Sequence, residues 1–127
     1  MGKRHSLADL QLAIMRVLWL NQEATVAQVH EALLPDRGLA PTTVATMLVK
    51  MEKKGVVQHH LDGRRFVYSP TVTEEEVKRS MVGDLTERLF AGDVTALVSH
   101  LLAGHDTNPA EIEELKRLIA ERESEEG

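Results

Sequence analysis

The chain contains no cysteine. That excludes disulfides, thiolate metal sites and cysteine nucleophiles together. It also has no apolar run approaching the ~20 residues that a helix needs to cross a bilayer. The N-terminus, MGKRHSLADLQ, lacks the apolar central segment of a secretory signal. A cytoplasmic protein without membrane insertion is the expectation. Glycine-rich phosphate loops, nucleophile–base constellations and internal repeats are missing too, so neither an enzyme nor a cofactor is expected. Disorder is not the default, because 43% hydrophobic and 28% charged residues are ordinary for a globular chain.

What is present is unevenly shared. The formal charge of −5 is an average over two unlike halves. Residues 1–70 hold nine Lys/Arg against six Asp/Glu, net +3, whereas residues 71–127 hold six against fourteen, net −8. Such asymmetry suggests two tasks, the basic half meeting a polyanion and the acidic half standing off it. Screening over about 8 Å at physiological salt keeps a distant acidic region from cancelling a local basic face.

Apolar residues at helical spacing from Leu10 to Leu20 predict a first helix, with Asp9 as N-cap and Asn21 at its end. Thr25-Val26-Ala27-Gln28 is a capping-box pattern that opens a second helix with Val29, Ala32 and Leu33 inward. Pro35-Asp36-Arg37-Gly38 reads as a turn, Pro41 as the first turn of a third helix, and Gly55 as its C-cap. Val56–Leu61 and Arg64–Tyr68 predict a hairpin turning at Asp62-Gly63. Thr73-Glu74-Glu75-Glu76 opens a long helix striped by Val77, Met81, Leu85 and Leu89, which Gly92 breaks. A short apolar helix follows (Val94, Leu97, Val98, Leu101, Leu102). Asn108 then caps a last helix with Ile112, Leu115, Leu118 and Ile119 inward, and the glutamate-rich tail after Ala120 is expected to fray.

The fold class is therefore mainly α with a small β-hairpin wing: an N-terminal winged helix-turn-helix over residues 1–70 and a helical region over 71–127. Three helices with apolar stripes make too little core to stand alone, and pairing with a second copy is the simplest remedy. A homodimer is expected, with Leu85, Leu89, Leu97, Val98, Leu101 and Leu115 in the seam.

Placed at 100° intervals, Thr42, Thr43, Thr46, Lys50, Lys53 and Lys54 share one arc of roughly 120° on the third helix. Val44, Met47, Leu48 and Met51 occupy the opposite arc of roughly 100°. Short hydroxyl side chains at the N-terminal turn let that end approach base edges, and the cations behind them reach the flanking backbone. Val49 lies near the edge of the outer arc, placed to touch a thymine methyl. Arg64 and Arg65 at the hairpin tip suit a wing that grips phosphate or enters the minor groove. From Pro41 to Tyr68 five Lys/Arg outnumber Glu52 and Asp62, net +3. Taken singly, such threonines, lysines and arginines are ordinary solvated surface; their co-location on one helix and the adjoining hairpin points to DNA.

Six histidines (His5, His30, His59, His60, His100, His105) invite a metal hypothesis. None pair at i, i+4, and His59 and His60 on one strand point to opposite faces, so surface or partly buried structural roles are expected and no metal site. His60 is placed to contact phosphate from the wing. Glu111, Glu113 and Glu114 read as a helix start favoured by the dipole.

These residues resemble the penicillinase-repressor family of bacterial winged-helix regulators, the BlaI/MecI type, which also includes copper-responsive CopY-like repressors. The resemblance runs through Ile14-Met15, Leu18-Trp19, Ala40-Pro41-Thr42-Thr43-Val44, Lys53-Lys54-Gly55, Arg65-Phe66-Val67-Tyr68, Thr95-Ala96-Leu97-Val98 and Glu111–Leu115. It implies a dimeric transcriptional repressor on a pseudo-palindromic double-stranded operator, with Thr42, Thr43 and Thr46 at the base-reading positions. Relatives can carry an arginine between these threonines, where this chain has Ala45, which leaves operator preference open. In the antibiotic-resistance members a membrane sensor metalloprotease triggers cleavage after the glycine break. The matching bond is His100-Leu101, where those members have Asn-Phe. The copper mechanism needs a C-terminal cysteine cluster, which this chain lacks. Two rival readings stand beside this one: a repressor of the same architecture sensing a small molecule or metal at the dimer interface, and a winged-helix adaptor that never touches DNA.

Overall fold

The computed structural model of the chain describes residues 7–104 and 106–126. Its elements run α1 (Asp9–Asn21), β1 (Ala24–Thr25), α2 (Val26–Leu33), α3 (Pro41–Lys54), β2 (Val57–Asp62), β3 (Arg65–Pro70), α4 (Glu74–Phe90), α5 (Val94–Gly104) and α6 (Pro109–Glu126). Two compact units divide the chain, Met1–Asp84 and Leu85–Gly127. The first therefore takes in the opening turns of α4 as well as residues up to 70.

In the first unit, α1, α2 and α3 surround one core. Ile14, Met15 and Leu18 of α1, Val29 of α2 and Val44, Leu48 and Met51 of α3 have no exposed surface. Val56, Val57, Tyr68 and Val77 close it, with Met47 and Met81 partly buried beside them. The apolar arc of α3 is thus the inward one, as its spacing predicts. Trp19 Nε1 donates to the Val72 carbonyl at 2.9 Å, tying α1 to the segment that leads into α4.

The sheet is three-stranded and antiparallel in the order β1-β3-β2. Strand β1 has no counterpart in the sequence reading: two residues are too few to show a period, and they are held by pairing Ala24 with Tyr68 and Thr25 with Val67. The hairpin register also differs by one residue. Asp62 pairs with Arg65, so the two-residue loop is Gly63-Arg64, and Arg64 sits in the turn. Gly63 has φ 66° while Arg64 does not have a positive φ, the pattern of a II′ turn with glycine first.

Capping follows the expected logic with one exception. Thr25 Oγ1 accepts from the Gln28 N–H at 3.2 Å while Gln28 Oε1 accepts from the Thr25 N–H at 2.8 Å. Thr73 Oγ1 accepts from Glu76 N–H at 3.0 Å, and Asn108 Oδ1 from Glu111 N–H at 2.8 Å. At α1, however, Asp9 is the first helical residue and Ala8 is the N-cap; Gln11 Oε1 accepts from the Ala8 N–H at 3.2 Å. Ala32 is exposed rather than inward, because α2 turns only Val29 and Leu33 fully to the core.

In the second unit, neither α5 nor α6 buries a residue. Leu115, Leu118 and Ile119, expected inward, are exposed in the single chain. The tail does not fray. α6 continues to Glu126, supported by ion pairs of Arg117 with Glu114 and Glu121 and of Arg122 with Glu126.

Candidate nucleic-acid interface

Helix α3 begins at Pro41, whose missing N–H costs nothing in the first turn. Ala40 at the N-cap offers no side-chain acceptor, so the positive end of the helix dipole is left facing the surface. His30 fixes the approach to this end: its ring Nε2 lies 2.8 Å from the Leu39 carbonyl oxygen. At the other end, Gly55 adopts φ 87°, a left-handed cap that few side chains tolerate, and the chain turns directly into β2.

Between those ends, Thr42, Thr43 and Thr46 are exposed on the face opposite Val44, Leu48 and Met51. Lys50 and Lys53 are exposed one and two turns further on, and Val49 is 46% exposed. Lys54 differs from its neighbours, because its ammonium donates to Gln11 Oε1 of α1 at 3.2 Å. Arg64 and Arg65 stand exposed at the hairpin tip, Arg65 with a loose 3.5 Å pairing to Asp62. Such an exposed pairing is worth little and yields readily to a phosphate. The candidate reading residues and the two arginines thus belong to one compact unit and to its solvent face. The candidate seam residues belong to the other unit: Leu85, Leu89, Val98, Leu101 and Leu115 are exposed and Leu97 half-buried.

A contact between Glu52 and His59 was not read from the sequence. Glu52, on the last turn of α3, accepts from His59 Nδ1 of β2 at 2.5 Å. His59 stacks on Phe66 of β3 with centroids 4.4 Å apart and planes 13° from parallel, and its ring lies 5.5 Å from that of Tyr68. Burial, and then the nearby Glu52 carboxylate, push the Tyr68 phenol above its ordinary range. A partnership of helix and strand carries no sequence period, so spacing alone could not disclose it. His60 faces away from this cluster, paired with Val67 and exposed. Among the described residues no group of three or more His, Asp or Glu is placed to hold a metal ion, and His5 and His105 lie outside the described residues. Also among the described residues, no helix is long and apolar enough to cross a membrane.

The penicillinase repressor family model matches residues 7–121 of the chain. The chain belongs to the penicillinase repressor family. That is a family of transcriptional repressors rather than of enzymes. The chain is 38% identical over 126 residues to the transcriptional regulator BlaI of Mycobacterium tuberculosis, covering 98% of this chain and 90% of that one. To the penicillinase repressor of Bacillus licheniformis it is 28% identical over 124 residues, 98% of this chain and 97% of the relative. Among solved structures it resembles the monomeric form of Bacillus licheniformis BlaI in complex with the blaP half-operator. There the TM-score is 0.51 and the identity 34%, over 60% of this chain and 93% of that one.

Proposed function

We propose that this chain is a cytoplasmic homodimeric repressor that binds a pseudo-palindromic operator, each α3 entering a major groove one or two helical turns from its mate. The observation that carries this reading is the outward face of α3. Three hydroxyl side chains at its open N-terminal end precede two exposed lysines, and the arginine-tipped hairpin follows in the same compact unit. The half-operator complex of a 34% identical relative supports it. In this reading Thr42, Thr43 and Thr46 meet base edges, Lys50 and Lys53 meet backbone, and Arg64 and Arg65 carry the wing contact. The second copy covers the apolar surface of Leu85, Leu89, Leu97, Val98, Leu101 and Leu115.

Release would follow from cutting that seam. His100-Leu101 lies inside α5, with Leu101 46% exposed. Cleavage there by a sensor protease requires local opening of the helix, and it would separate Leu101 and α6 from the rest of the seam.

The test is binding to an operator recovered by selection from random duplexes, at two salt concentrations. Thr43→Ala should cost ~1–3 kcal/mol on the selected operator and relax specificity at one position. Arg65→Ala should weaken all sequences alike and lower the salt slope by about one unit. An equal loss for Thr43→Ala on random DNA would overturn its reading role, and a sequence-selective loss for Arg65→Ala would overturn the wing contact.

A further inference from the structure

The hairpin of a winged helix reaches DNA only if its angle to the reading helix is held. A two-stranded ribbon is marginally stable by itself and twists readily. In this chain a polar contact joins the last turn of α3 to β2, Glu52 Oε1 to His59 Nδ1 at 2.5 Å, beside the Thr71 hydroxyl that donates to the Gly55 carbonyl at 2.6 Å. The contact continues outward. The His59 ring lies flat on Phe66 at 4.4 Å, and Phe66 meets Tyr68 edge-on at 6.4 Å. Tyr68 is 3% exposed and belongs to the core, while Phe66 directly follows Arg65 in β3. A chain of contacts therefore runs from Glu52 through His59 and Phe66 to β3, which begins at Arg65 directly after Arg64 of the turn.

Register explains why this works. His59 pairs across from Tyr68, and Leu61 from Phe66, so these side chains share one face of the hairpin. His60, Asp62 and Arg65 take the other. The clamp grips one face and leaves the other, where only Val67 is buried among the paired residues His60, Asp62, Arg65 and Val67. Phe66 is 45% exposed and Leu61 62% exposed, so core burial alone does not hold this part of the ribbon.

We infer that His59 and Glu52 are positioning residues for DNA binding: their contact, extended by the Phe66 stack, sets the wing at the angle from which Arg64 and Arg65 reach the phosphate backbone. This rests on the DNA-binding reading above. Breaking the contact should remove the wing from the complex without unfolding the unit.

The experiment uses the full chain and a duplex of arbitrary sequence about three helical turns long, with affinity followed from low to moderate salt. The Arg64→Ala/Arg65→Ala double variant should lower the magnitude of the salt slope by about two units. His59→Ala should lower it by a similar amount. Added to the arginine variant, His59→Ala should change affinity by no more than about twofold, because residues acting through one contact are not additive. Glu52→Gln, which keeps both an acceptor oxygen for His59 Nδ1 and the His59–Phe66 stack, should retain the slope, whereas His59→Asn, which keeps the donor but loses the stack, should retain only part of it. Melting temperature, measured beside each, separates a merely structural role. A fall in melting temperature with an unchanged slope overturns the inference, as does full additivity of His59→Ala with the arginine variant. If the arginine variant itself leaves the slope untouched, the wing contact fails and the inference fails with it.

Discussion

In the unit Met1–Asp84, helices α1, α2 and α3 each contribute side chains with no exposed surface, and the polar groups of α3 are left over for the outside. In Leu85–Gly127 the proportions are reversed. Leu89 is 71% exposed, Ile119 58% and Val94 62%, although their spacing is that of core residues. Apolar stripes of this kind are stable in water only when something covers them. The difference teaches that the first unit is complete within one chain, whereas the second displays the surface of an unfinished one. The formal charges divide less sharply: Met1–Asp84 is close to balanced, at 11 Lys/Arg against 10 Asp/Glu, while Leu85–Gly127 is acidic, at 4 against 10.

The most damaging way to break that contrast is to open the finished core. Leu48→Ala removes a side chain with no exposed surface from the middle of α3 and should cost roughly 2–5 kcal/mol, since the surrounding helices close a cavity only in part. Urea unfolding followed by Trp19 fluorescence would read it. A loss below about 0.5 kcal/mol, the range of exposed sites, would mean that the core is not closed as described. A smaller effect of a different kind is expected in the second unit. Leu97→Asp and Leu101→Asp should leave the melting of the first unit within about 1 kcal/mol of the parent. They should nevertheless split the dimer, since pairing would bury an unpaired carboxylate. The melting temperature should then lose its dependence on protein concentration. If both variants sediment as dimers, the seam lies elsewhere.

Much of this contrast is legible in the sequence. The inward arc of α3, the caps at Thr25, Thr73 and Asn108, and the breaks at Gly55 and Gly92 are local signals, and each is present in the structure. Where local chemistry does not decide, reading fails. Asp62-Gly63 marks the hairpin, yet glycine at the first loop position moves the turn to Gly63-Arg64 and shifts the register by one. Strand β1 exists only because β3 passes beside Ala24 and Thr25. The Glu52–His59 contact joins an α3 residue to a β2 residue seven positions on, a closeness made by the sharp exit at Gly55 rather than by a period. The fraying expected after Ala120 rested on charge bias alone. It overlooked that arginines three and four residues from glutamates support a helix.

That last point sets the smallest of the expected effects and the finest test of the second unit. Arg117 hydrogen-bonds Glu114 and Glu121 on the solvent face of α6. The hydrogen bond from Arg117 holds the Glu114 carboxyl below its ordinary value, outweighing a small opposing effect of desolvation. A carboxylate with a depressed folded value contributes stability that is fully present above its unfolded value and disappears as pH falls through the folded one. The loss should therefore begin as pH falls into the ordinary glutamate range and continue down through the folded value, with no change near neutral pH. Because the group is fully exposed, salt screens the interaction and the effect should be slight. Helicity of the full chain by circular dichroism, compared with Glu114→Gln, would show it: the parent should lose slightly more helix than the variant on acidification at low salt, and equally at high salt. An identical acid response at low salt would mean that the pairing contributes nothing to α6.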